Sequence, residues 1–315
     1  DGADFVAGPL AKAEVTEIVT APGRRVQTLA LNYLPDTVQA PGGFYQFALA
    51  PEHEAQAAAL FALSNGKRNA VALVPQNAMG ERLIVAFRQA LEANGGTLLD
   101  AAVYNPNDTD FKDPIRRVLQ LDFSRSRHRQ LVSELGMPLE FEPRRRQDVD
   151  FVFMAASRKA GQLLRPQLKF HYAQDLPVYA TASVFDPGAT GGADLDGVMF
   201  ADMPWIVAPD ETAATLQYQL QRLWPDRFGR RSRLFAMGYD AYRLIPRLYG
   251  SGAPLSEEPL DGLTGELTLE NGRRIVRYLE WARIRNGEAQ LVLPPVQQPD
   301  VTLPSGSTAA LPDAG

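Results

Sequence analysis

The chain has 315 residues, enough for two lobes with real cores, and its formal charge of −5 excludes a global pull toward nucleic acid. It contains no cysteine, which excludes disulfides, thiolate metal sites and a cysteine nucleophile while leaving the compartment open. No run approaches the ~18–20 apolar residues of a membrane-spanning helix.

The opening DGADFVAGPL has neither an initiating Met nor a signal peptide, so the expectation is a processed or truncated chain. Residues 4–10 read as a strand running into a helix over 11–21, and VQTLALN (26–32) as a second strand. Residues 52–65 read as a helix stopped by Gly66. AVALVP (70–75) is a third strand. MGERLIVAFRQALEANGG follows as an amphipathic helix with Leu83, Ala86, Phe87, Ala90 and Leu91 on one face. TLLDAAVY (97–104) is strand and about 111–122 helix. Residues 122–147 break the rhythm, and the expectation there is an inserted helical hairpin. DFVFMAA (150–156) then reads as strand, 158–172 as helix and PVYATASVF (177–185) as strand.

Residues 197–207 are strand-like and end in an aromatic corner, and 210–224 form a helix with Leu216, Leu220 and Leu223 in phase. A second helix, SRLFAMGYDAYRLIPRLY, stops at Gly250. Residues 265–292 alternate around Asn271-Gly272 and Asn286-Gly287, the pairs that most strongly signal hairpins, so an antiparallel meander is expected. After Val296 the composition is rich in Pro, Ser, Ala and Gly without a period, and residues 295–315 read as a disordered tail. Uniformly apolar strands interleaved with helices imply α/β parallel sheets covered on both faces, in more units than one doubly wound domain usually holds.

Catalytic motifs are absent. No G-x-G-x-x-G follows a strand, and neither G-x-x-x-x-G-K-[ST] nor G-x-S-x-G occurs. Asp186, Asp194 and Asp196 lack the alternate spacing of a calcium loop. His53, His128 and His171 lie in separate polar helical stretches, where surface placement is the expectation, and no pair has metal spacing. No cofactor is implied.

The 122–147 segment holds six arginines against four carboxylates, a local charge of +2. Arg125, Arg127, Arg129, Arg144, Arg145 and Arg146 admit two readings. They form ion pairs with neighbours such as Asp148 and Asp150, or they make a guanidinium-rich docking surface for a partner protein. Ligands of open α/β sheets bind beyond the carboxyl ends of strands. That nominates Pro9, Leu10, Asn32, Tyr33, Gln76, Asn77, Met79, Asp202 and Trp205 as cleft residues, with turn chemistry or packing between lobes as the alternative for each.

The strings ADFVAGPL, LALNYLP, FYQFALAPEHEAQAAA, VALVPQNAMGERL, PRRRQDVDFVFMAA, KFHYAQDLPVYATA and LDGVMFADMPW resemble the carboxyl-terminal domain of the LppC/LpoA family of outer-membrane lipoproteins. The resemblance runs from about residue 2 to 294. It implies a two-lobed fold similar to type I periplasmic solute-binding proteins, with 1–47 and 200–258 in one lobe and 48–199 and 259–294 in the other. That fold opens with a βαβα stretch this chain lacks, which would leave a bare sheet edge. The implied function is non-enzymatic: binding and activating a class A penicillin-binding protein, a peptidoglycan synthase, at the periplasmic face of the outer membrane. The membrane would be reached only through a lipid anchor outside this chain. The alternative is a solute-binding or sensor module closing on a small polar ligand between the lobes.

Overall fold

The computed structural model describes residues 2–293 except 22, 24, 25, 36, 139, 190, 251–254 and 256. The expected tail at 295–315 lies outside the described residues. The chain opens with β1 (Phe5–Ala7), α1 (Lys12–Thr20), β2 (Gln27–Ala30) and β3 (Phe44–Phe47). It continues through α2 (Pro51–Ser64), β4 (Asn69–Pro75), α3 (Ala78–Ala93), β5 (Thr97–Tyr104), α4 (Lys112–Val118) and α5 (Leu121–Leu135). Then come β6 (Phe151–Met154), α6 (Arg158–Leu168), β7 (Val178–Ala180), β8 (Met199–Asp202), α7 (Pro204–Val207), α8 (Glu211–Leu223) and α9 (Pro225–Tyr249). The last elements are β9 (Leu260–Gly262), β10 (Gly265–Glu270), β11 (Arg274–Tyr278), β12 (Glu280–Arg285) and β13 (Glu288–Leu291).

Two sheets organise these elements. One has the order β1-β2-β3-β11-β10-β9, the other β13-β12-β8-β7-β6-β4-β5. In the second sheet β8, β7, β6, β4 and β5 are parallel. Their alternate residues feed separate cores: Val71, Leu73, Val152 and Met154 on one face, Ala70, Ala72, Phe151 and Phe153 on the other. Burial on both faces explains why these strands read as continuous apolar runs. The amphipathic face of α3 covers the second core, with Phe87 stacked on Phe153 at 4.2 Å. Asn77 caps that helix by accepting from the Gly80 N–H at 2.9 Å. Any Cβ on Gly80 would sit 2.0 Å from the Pro75 carbonyl, so only glycine fits.

The expected lobe boundaries need correction. β8 belongs to the second sheet, so the chain leaves that lobe after Asp202 rather than before residue 200. The expected second-lobe segment 259–294 is divided: β9–β11 join the first sheet, where β11 pairs in parallel with β3, and only β12–β13 enter the second. Both Asn-Gly hairpins form as expected, with positive φ at Asn271, Gly272, Asn286 and Gly287. Between them β11 and β12 are not a hairpin. They are one extended passage from sheet to sheet through Leu279.

β3 carries no period strong enough to stand out and is missing from the reading by pattern. Instead of a helical hairpin there is one helix, α5, and the described residues between it and Gln147 form no second helix or strand. Leu216 and Leu220 pack inward, but Leu223 is exposed. β1 forms the outer edge of the first sheet, with Phe5 and Val6 open to solvent. Among the described residues no helix is long and apolar enough to cross a membrane.

Candidate functional site

The chain crosses between the sheets three times: from β3 to α2, from β8 to α7, and from β11 to β12. Above this triple seam opens a cavity of about 870 Å³. Leu10, Lys12, Asn32, Tyr33 and Arg274 line it from the first lobe; Glu52, His53 and Arg82 face them from α2 and α3. The Tyr33 hydroxyl donates to the Ile275 carbonyl at 2.6 Å, and the Arg274 guanidinium lies 5.3 Å from the Tyr33 ring. Arg82 pairs with Glu52 at 3.1 Å. Burial, reinforced by Arg277 and Arg274, pushes the His53 imidazole down to about 4, so it is neutral at pH 7. Its Nδ1 is buried without a hydrogen-bond partner. His53 is therefore not the surface histidine its polar neighbours suggest. His128 stacks on Phe141 at 4.2 Å, and burial lowers His171.

Behind the cavity the seam holds charges that pattern reading did not nominate. Arg233 of α9 donates Nη2 to Asp202 Oδ2 at 2.5 Å and to the Phe185 carbonyl at 3.2 Å. Its Nε lies 3.2 Å from each Asp202 oxygen. Glu54 accepts from the Ala182 N–H at 2.9 Å. It is deeply enclosed, although part of the residue reaches solvent. Burial and then Asp202 push its carboxyl up to about 7, against Arg277 and Arg233. Arg277 is 4% exposed; its Nη1 donates to the Thr264 carbonyl at 3.3 Å and its Nε has no partner. A signal for both existed. Glu54 is in helical phase with buried Ala58, Phe61 and Ala62, and Arg277 alternates onto the face of buried Ile275.

Of the nominated cleft residues, Leu10, Asn32 and Tyr33 line the cavity. Pro9 lies beside it, its carbonyl accepting from the Leu31 N–H at 2.9 Å. Gln76, Asn77 and Met79 are solvent-exposed at the start of α3, and Asn77 serves as its cap. Asp202 is buried against Arg233. Trp205 is packed under α9, its Nε1–H donating to Ser232 at 2.8 Å. Gln76, Asn77 and Met79 depart from the expectation because a parallel-sheet carboxyl edge presents loops to several surfaces, whereas Asp202 and Trp205 are packed in the seam against α9 and do not open into the cavity.

The arginines also divide. Arg146 makes a two-armed pair with Asp148, both contacts at 2.7 Å, and Arg145 bonds Asp175 at 2.6 Å and the Tyr172 carbonyl at 3.0 Å. These two are fastened internally and drop out of the expected docking surface. Among the described residues Asp150 enters no ion pair; it accepts the backbone N–H groups of Arg68 and Asn69. Arg125, Arg127, Arg129 and Arg144 are exposed and enter no ion pair among the described residues. α5 is held by Leu121, Ser124, His128 and Val132, leaving Phe123, Arg127, Leu131 and Leu135, four apart, along one exposed flank. Arg125 and Arg129 share the other flank.

Among the described residues no three His, Asp or Glu side chains converge as metal ligands. Asp186 accepts from the Gly188 N–H within its own turn, and Asp196 accepts from the Asn286 N–H of the β12–β13 turn.

The LppC lipoprotein family model matches residues 1–287. A relative from Vibrio cholerae, named penicillin-binding protein activator LpoA, is 31% identical over 284 residues, covering 89% of this chain and 46% of the relative. The Aliivibrio fischeri protein of the same name is 29% identical, covering 88% and 46%. This chain thus spans about half the length of the curated relatives it matches. Among solved structures, the C-domain of Haemophilus influenzae LpoA, described as a regulator of PBP1A, has a TM-score of 0.67 at 24% identity, covering 93% of this chain and 83% of that one. A solute-binding protein of an R. palustris ABC transporter, in complex with benzoate, has a TM-score of 0.54 at 14% identity, covering 92% and 77%. The fold is that of LpoA and of periplasmic binding proteins alike. With a family model matched over almost its whole length and an activator relative at 31% identity, this chain belongs to the LppC lipoprotein family.

Proposed function

We propose that this chain is a non-enzymatic regulatory domain that binds a class A penicillin-binding protein and stimulates its peptidoglycan-synthesising activity. The similarity to activators named LpoA over nearly nine-tenths of the chain carries this reading. A regulator of this kind works by binding the active conformation of its partner more tightly than the inactive one. It acts at the periplasmic face of the outer membrane, held there by a lipid anchor. The contact face is α5, where Arg127 lies within the exposed Phe123–Leu131–Leu135 stripe and Arg125 and Arg129 line the other flank, with Arg144 on the segment that follows the helix. Exposed aromatic and arginine side chains are the residue types that dominate interface energetics.

The test is capture of a purified class A synthase by this chain, with transpeptidase rate as the second readout. Arg125→Glu, Arg127→Glu and Arg129→Glu together should weaken capture at least tenfold with thermal unfolding unchanged. Undiminished capture by that variant removes α5 as the contact face; no capture by the unmodified chain removes the activator reading. A second reading, a small-ligand trap, draws on the 870 Å³ cavity between the lobes. A ligand binding only the native state raises its unfolding temperature, so a screen of amino acids and muropeptide fragments decides it.

A further inference from the structure

At each of the three crossings stands an ionisable side chain. Glu54 is in the first turn of α2, immediately after the first crossing. Asp202 ends β8 at the second, and Arg277 precedes the third in β11. The fourth member, Arg233, comes from α9, a helix packed on the first sheet through Met237, Ala241 and Leu244. α2 packs on the second sheet through Ala55, Ala58 and Ala62. Both carboxyl groups therefore belong to the second lobe and both guanidinium groups to the first, and Asp202 faces Arg233 directly.

Arg233 spans the seam directly. Its three acceptors, Asp202 and the carbonyls of Ala182 and Phe185, all belong to the second lobe. The same 182–185 turn supplies the N–H that Glu54 accepts, so one short segment is bonded to both halves of the cluster. Arg277 donates to the Thr264 carbonyl of its own lobe. Separating the lobes would break Arg233's contacts to all three acceptors, the charge-assisted pair with Asp202 included. Buried pairs are weakly screened, so salt does not relax the cluster as it would a surface pair.

We infer that Arg233, gripping Asp202 and the 182–185 turn across the seam, is a latch between the lobes that fixes their relative angle, so that the domain meets a partner as one rigid body. The inference is independent of the reading of α5 as a contact face. It also separates this domain from a hinged trap, in which the seam would have to yield as the lobes close.

The absence of cysteine allows a direct measurement. Nitroxides placed through Arg88→Cys on α3 and Tyr242→Cys on α9, both exposed and in different lobes, report the interlobe distance by pulsed electron paramagnetic resonance. With the latch intact, one narrow distance is expected, unchanged between 0.1 and 1 M salt. Arg233→Gln should broaden or split the distribution while circular dichroism stays native. Arg233→Lys, which keeps the charge but cannot fork to three acceptors, should do the same more weakly, and it decides the matter if Arg233→Gln fails to fold. A distribution as narrow in the folded variant as in the parent overturns the latch, as does a broad distribution in the parent.

Discussion

The carboxyl of Glu54 offers the sharpest energetic test. Its environment raises it from 4.5 to about 7, because burial and Asp202 outweigh the attraction of Arg277 and Arg233. The folded state thus holds this proton more tightly than the unfolded chain does. Its contribution to stability is fully present below pH 4.5 and is lost as pH rises through 7. A displacement of that size corresponds to roughly 3 kcal/mol over the window, a large part of the ~5–15 kcal/mol that keeps a typical domain folded. His53 works in the opposite direction. Held at about 4 instead of 6.5, chiefly by burial, it contributes stability above 6.5 that is lost as pH falls through 4. Between pH 4.5 and 6.5 the two slopes offset each other, so the unmodified protein alone reveals neither. Glu54→Gln removes one of them. Urea unfolding of parent and variant across pH 4.5–8 should show the variant gaining roughly 3 kcal/mol relative to the parent toward high pH. A difference between the two that does not vary with pH would refute the reasoning.

Other expectations follow from single contacts. Phe87→Ala removes a ring stacked on Phe153 and set edge-on to Phe151, and should cost ~3–5 kcal/mol in urea unfolding. Gly265→Ala would place a Cβ 2.3 Å from the Tyr278 carbonyl at a φ of +129°, so a loss of ~2 kcal/mol or more is expected by thermal unfolding. Arg146→Ala leaves Asp148 mostly in water, and the ion pair should account for no more than ~1 kcal/mol by double-mutant cycle. Arg146 replaced in this way should also leave synthase capture intact, in contrast to the triple substitution on α5.

How much of this was legible in the sequence varies with the physics of each element. β4, β6 and α3 could be read because their burial is complete and periodic, so composition reports it directly. The two Asn-Gly turns were legible because only those residues adopt left-handed backbone cheaply. β3 was not, since four residues between glycines and an Ala-Pro pair hold too little period to register. The cleft was half legible: Leu10, Asn32 and Tyr33 converge there, but strand ends do not say which lobe a loop will face. The arginine run was legible as a charge cluster but not in its pairing. Arg145 reaches Asp175, thirty residues away, and only folding makes them neighbours.

The sequence by itself determined the class of fold, the two hairpins and the family, because these rest on local period, turn stereochemistry and strings of residues read in order. Tertiary structure decided where the lobes divide, which arginines remain free, and that Glu54, Asp202, Arg233 and Arg277 meet at one seam. Those four are spread over more than two hundred residues, and their meeting follows from three separate chain crossings. A charge's environment is set by what packs around it in space, and neighbours along the chain do not report it.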